Sequence, residues 1–232
     1  MICTVHINES CGLHIHISSP PQSRGKWSIQ TLRSVCRSIL YFNEAIEALV
    51  PAERRSNIYS ANNHHENTLL KGRTMKTSID MVNRCRDPTG IADLMNDGGE
   101  RYFSWNFVNL YYGGKATVEF RQVPAAADEK SSIPWIELVA SFMNSSKLTS
   151  PYGELLRYNR DVNGLWKFLT RHELPGFKPT LMASIFKGKS GSILPKPVRD
   201  LTGQELEKMR KEMDRNVMMK KYDLKPTWKI SS

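Results

Sequence analysis

Apolar and polar positions alternate with a period of two from Cys11 to Ser18: Leu13, Ile15 and Ile17 fall on one side, His14, His16 and Ser18 on the other. This predicts a strand with one core-seeking face and one face carrying two imidazoles. The same alternation returns at 115–122, where Ala116, Val118 and Phe120 oppose Thr117, Glu119 and Arg121. Residues 2–8 alternate too, with Cys3, Val5 and Ile7 against Thr4, His6 and Asn8, and predict a further strand. An aromatic-rich run over 101–112 reads as a strand joined through Gly113-Gly114 to 115–122, a hairpin signal.

Elsewhere the apolar period lengthens to that of a helix. Ser28 can cap a helix to about Val50, with Ile29, Leu32, Val35, Cys36, Ile39, Phe42, Ile46 and Leu49 on one stripe and Pro51 ending it. Thr74 or Thr77 can cap a helix to about Arg84, and Asp87-Pro88 opens a short one to Met95. Ser132 to about Lys147 predicts a helix with Ile136, Val139, Ala140 and Met143 inward. Shorter helices are expected over 161–172 and 178–186, and Thr202 can cap a charged amphipathic one to about Lys221. The polar stretch 60–67 and the turn Asn96-Asp97-Gly98-Gly99 read as irregular. Strands and helices without βαβ regularity give an α+β expectation.

The chain has 232 residues, 40% of them hydrophobic, enough for a real core. No apolar run approaches the roughly 18 residues of a membrane span, and the first residues lack the basic and apolar regions of a signal peptide. Cys3, Cys11, Cys36 and Cys85 show no C-x-x-C spacing, so reduced thiols in a cytoplasmic protein are expected. The net charge is +10, and from Lys187 to Ser232 there are twelve Lys and Arg against six Asp and Glu. No nucleic-acid motif or aromatic stacking pattern accompanies this basic segment. A solvated helix and tail is the preferred reading, and nucleic acid is not an expected partner.

His-x-His on a strand places two rings on one face with Cα atoms about 7 Å apart, within reach of one metal or a metal and a phosphate. Such pairs are structural or merely exposed about as often as they are ligands. Glu119 adds a hard oxygen ligand and Arg121 a fork for phosphate or carboxylate oxygens, although side by side they could equally be a simple ion pair. Arg54 and Arg55 lie in a loop where exposed charges are the competing explanation.

Four ordered segments, Asn8–Ser18, Leu49–Arg55, Arg101–Leu110 and Thr117–Arg121, together closely resemble the fungal amidoligase family, whose catalytic sheet is similar to that of glutamine synthetase and γ-glutamylcysteine synthetase. The resemblance covers roughly residues 1–147. It implies an antiparallel catalytic sheet packed with helices over 1–150, followed by a helical extension over 151–232 with its basic amphipathic helix near 203–221. It implies an ATP-dependent carboxylate–amine ligase using Mg²⁺ or Mn²⁺, with small-molecule or peptide acids and amines as partners and oligomerisation possible. By the same resemblance, His14 and Glu119 match a metal-sharing pair and Arg121 an arginine directed at the phosphoryl group or acyl carboxylate. His16 is the nucleotide-side histidine, and Arg54, Arg55 and Arg101 are candidates for the remaining clamps.

Family members carry an earlier strand with a Glu-x-Glu pair, and this sequence begins after it. The expectation is a sheet incomplete at its N-terminal edge and impaired phosphoryl transfer, since that chemistry rests on electrostatics and positioning. Two rival functions follow: a non-haem metal protein using His14, His16 and Glu119 as a two-His-one-carboxylate face, or an inactive homologue acting as a binding protein.

Overall fold

Ser28 accepts a hydrogen bond from the backbone N–H of Thr31 and starts α1 (Ile29–Leu49), the helix around which the core is assembled. In the computed structural model, residues 11–19, 25–111, 116–149, 152–172 and 179–222 are described, the last five by backbone alone. The expected strand 2–8, the Gly113-Gly114 turn and the tail from 223 lie outside the described residues.

The described elements run β1 (Gly12–Ser18), α1, α2 (Met75–Arg84), α3 (Pro88–Met95), β2 (Trp105–Asn106), β3 (Thr117–Pro124), α4 (Glu129–Leu148), α5 (Val162–Thr170), α6 (Ala183–Phe186) and α7 (Gly203–Tyr222). Three strands form an antiparallel sheet in the order β1-β3-β2, and helices cover one face, so the α+β expectation holds. Ile15, Val118, Phe120 and Val123 point into the helices, and Trp105 lies 4.6 Å from the Phe120 ring and 5.2 Å from Phe142. Leu155, Val162, Leu165, Phe168, Met182 and Ile185 join the same core as α1 and the sheet.

Several expectations shift. The aromatic strand over 101–112 shrinks to Trp105–Asn106, followed by a 3₁₀ turn at Val108–Leu110. Side-chain amides take the donors a longer ladder would need: Phe107 N–H donates to Asn96 Oδ1 at 2.7 Å and Val108 N–H to Asn106 Oδ1 at 2.9 Å. Helix α4 starts three residues earlier than expected because Asp128 and Ser131 form a reciprocal cap. Its inward stripe is rotated to Trp135, Leu138, Val139 and Phe142, leaving Ile136 exposed. The helix expected over 178–186 is reduced, among the described residues, to Ala183–Phe186.

The register of β1 on β3 is the detail that builds the site. Leu13 pairs with Val123 but Ile15 pairs with Phe120, so a bulge sets Arg121 and Gln122 together opposite His14. Bulges re-aim side chains and sharpen the local twist. Here the Gln122 amide is sent into the core, donating to Glu47 Oε2 of α1 at 2.6 Å, while Arg121 stays on the face with Glu119.

Candidate functional site around Glu119

Glu119 lies in the middle strand with His16 directly across on one side and Asn106 directly across on the other. Its carboxylate is the point of convergence. Oε1 accepts from Arg121 Nη1 at 2.7 Å and lies 2.9 Å from His14 Nδ1 and 3.5 Å from His16 Nε2. Oε2 accepts from Asn106 Nδ2 at 2.7 Å. The Asn106 amide has its orientation fixed, because its oxygen is already held by Val108 N–H and only the NH₂ is left for the carboxylate.

Burial raises the Glu119 carboxyl, but the His14 hydrogen bond, the Arg121 charge, Asn106 and His16 outweigh it and hold the group down to about 2. It is therefore an acceptor only. The hydrogen between it and His14 therefore belongs to Nδ1. The two histidine side chains are 35% and 44% exposed and the Glu119 side chain 1%, so the imidazoles face outward while the carboxylate behind them is sealed.

Arg121 is buried. Besides Glu119, it donates through Nε to Tyr59 O at 3.2 Å, and its guanidinium lies 5.5 Å from the Tyr102 ring centre. Burial lowers its pKa and the Glu119 charge opposes that. Arg54 is buried as well and donates to the carbonyls of Cys11 at 3.2 Å and Arg121 at 2.9 Å, tying the ends of β1 and β3 together. Arg55 donates from Nε to the carbonyls of Glu47 and Val50, closing the end of α1. Arg101 pairs at 3.8 Å with Glu212 of α7. Thus His14, His16, Glu119 and Arg121 are brought together, whereas Arg54 and Arg55 meet main-chain carbonyls.

The identity of this sheet is decided by a comparison. The family model described as "Putative amidoligase enzyme" matches residues 3–143, more than half of the chain and all four of these side chains. The chain belongs to the amidoligase family. No curated protein matches it, and no solved structure does.

The amidoligase site does not, as it stands, fit a resident divalent cation. Three of the roughly four lone-pair directions of the Glu119 carboxylate are taken, and Arg121 brings a positive charge to 2.7 Å of the same oxygen. Among the described residues no group of three or more His, Cys, Asp or Glu side chains is placed to hold a metal ion. Tyr59 and Tyr102 belong to the network but were not singled out by the sequence as site residues. Asn106 falls in the Arg101–Leu110 segment that resembles the family, where the sequence does not separate a site role from hairpin structure, and the structure sets it opposite Glu119.

Among the described residues no helix is long and apolar enough to cross a membrane.

Proposed function

We propose that this chain is an ATP-dependent carboxylate–amine ligase that works through an acyl phosphate. A substrate carboxylate oxygen attacks the γ-phosphorus and ADP leaves. An amine nitrogen then attacks the acyl carbon, phosphate leaves, and the nitrogen loses a proton. In this reading the nucleotide arrives as its Mg²⁺ or Mn²⁺ complex, and the metal comes with the substrate to neutralise phosphate charge.

The observation that carries the reading is the convergence of His14, His16 and Arg121 on one sealed carboxylate within the segment that matches the family. Glu119 orients the His14 ring, whose outward nitrogen and the neighbouring His16 face the nucleotide. Buried Arg121 is a positioning residue that keeps Glu119 ionised. Pre-set groups of this kind are what phosphoryl transfer asks of a protein.

The test is ADP release from Mg–ATP across a panel of amino acids and peptides. Release that needs both an acid and an amine, and falls by orders of magnitude in His14→Gln with the fold intact by circular dichroism, is the expected result. Release unchanged in that variant removes the site from the chemistry.

A second reading is favoured by one observation: the guanidinium groups of Arg54 and Arg121 donate to groups of the protein itself. A homologue that keeps the fold and binds without turnover would show no ADP release with any acid, and its biological effect would survive His14→Ala.

A further inference from the structure

Helix α7 returns to the sheet beside the site and brings a carboxylate with it. Glu212 Oε1 accepts from the Tyr102 hydroxyl at 3.1 Å, and its Oε2 lies 3.8 Å from Arg101 Nε. Tyr102 is the residue whose ring lies under Arg121, so this carboxylate sits one aromatic ring away from the Glu119 network.

We propose that Arg101 and the Tyr102 hydroxyl form a binding subsite for a substrate carboxylate, and that Glu212 occupies it from within the chain as a displaceable stand-in. The ligand class rests on the ligase reading above, which requires an acid. The site itself rests on three features of the contact.

First, the pairing is incomplete. Arg101 Nε and Glu212 Oε2 are both shielded from solvent, yet neither has a hydrogen-bond partner. A guanidinium and a carboxylate can make two parallel bonds at 2.7–2.9 Å, and a free ligand could approach where a helix-borne side chain stops short.

Second, the helix is lightly held. None of its described side chains is buried, and its contacts with the loop before Tyr102 include Asn216 Nδ2 donating to Gly99 O at 2.9 Å and Met213 resting over Gly98 and Gly99. Residues 192–202, which lead into it, form neither helix nor strand, so α7 can leave without unfolding the core.

Third, the donor keeps its proton. Burial, then the Glu212 charge and hydrogen bond, push the Tyr102 hydroxyl up to about 12. Lys208 of α7, 5.8 Å from the Tyr102 ring centre, adds a second cation at the mouth.

The experiment is calorimetric titration of the full chain, without nucleotide, with L-glutamate, whose side chain reproduces the stand-in. Glu212→Ala should bind glutamate at least fivefold more tightly than the unmodified chain, and Glu212→Ala combined with Arg101→Gln should lose that gain. Equal affinity in the presence and absence of Glu212, or no measurable binding in either, overturns the proposal. Since no ATP is present, failure here leaves the ADP-release result untouched, and failure of ADP release leaves this measurement standing.

Discussion

His14 Nδ1 lies 2.9 Å from Glu119 Oε1 although the two residues are not ladder partners; His16 is the one opposite Glu119. The diagonal contact exists because the bulge at Arg121-Gln122 turns the strand just where His14 crosses it. The first prediction concerns what this network is worth. Glu119→Gln leaves the buried Arg121 guanidinium without its counter-charge, and breaking such a pair costs about 3–5 kcal/mol. His14→Gln gives up one hydrogen bond from a partly exposed ring to an ionised carboxylate, worth about 1.5–3 kcal/mol before its exposure reduces it. Urea denaturation of the two variants checks the contrast. Comparable losses would mean that Arg121 does not depend on Glu119.

The same carboxylate sets an acid limit. Its folded pKa of about 2 lies below the ordinary 4.5, so the unfolded chain binds the proton first as pH falls. Its contribution is complete above about 4.5 and is lost as pH falls through 2. Denaturant midpoints measured down the acid range should fall with a slope that flattens in Glu119→Gln.

A second group acts at milder acidity. His64 is buried against Ser78, and burial, with His65 and Arg160 nearby, lowers its pKa from 6.5 to about 4. Between these values the unfolded chain takes up a proton at this site that the folded one refuses, so the contribution of His64 falls as pH drops from 6.5 to 4. His64→Gln should remove that part of the pH dependence and leave the part below 4.5 that belongs to Glu119.

Much of this was legible in the sequence and some was not, for reasons visible in particular residues. Ser28, Thr74 and Asp87 mark helix starts because a cap is a local event: the accepting side chain and the donating backbone N–H lie three residues apart. The alternation in 12–18 and 117–121 gave the two strands and the shared face of His14, His16, Glu119 and Arg121. What could not be read is where polar side chains go once the chain closes. Arg54 looked like an exposed loop charge or a ligand clamp, and it is buried against carbonyls of two strands distant in sequence. The 60–67 stretch reads as irregular and is so, but nothing in its composition tells that Asn63 and Asn67 are buried. The α4 stripe was misplaced because Phe142 meets Trp105 and Phe168 of α5, partners no periodicity names.

Arg54 yields a prediction about packing. A Cβ on Gly12 would lie 2.9 Å from Arg54 Nη2 and 3.1 Å from the Val123 carbonyl oxygen, and Arg54 is pinned by its own hydrogen bonds. Gly12→Ala must therefore push against a fixed group and should cost about 1–3 kcal/mol. Arg54→Lys should cost a similar amount, because an ammonium cannot span the Cys11 and Arg121 carbonyls as the fork does. The double variant should lose less than the sum, since a withdrawn Arg54 no longer clashes with the new methyl. Additive losses in urea denaturation would place the strain at Val123 instead.

Asn63 holds the irregular segment to the sheet with both polar atoms of its side chain. Its Oδ1 accepts from Trp105 N–H at 2.8 Å, and its Nδ2 donates to Trp105 O at 2.8 Å and Met95 O at 3.0 Å. It thus supplies to β2 the hydrogen bonds a neighbouring strand would otherwise give, and this lets a two-residue strand persist inside the protein. Asn63→Ala leaves three buried main-chain groups unpaired, each costing about 1–3 kcal/mol, so the loss should exceed that of any single cap in the molecule. Asn63→Asp keeps the acceptor but turns the donor into a second acceptor facing two carbonyls, and should be no better than Ala. Hydrogen exchange localises the effect: the Trp105 amide, protected in the native protein, should exchange in Asn63→Ala well before the amides of α1. If the Trp105 amide stays protected, β2 is held by its pairing with β3 alone and the asparagine is dispensable to it.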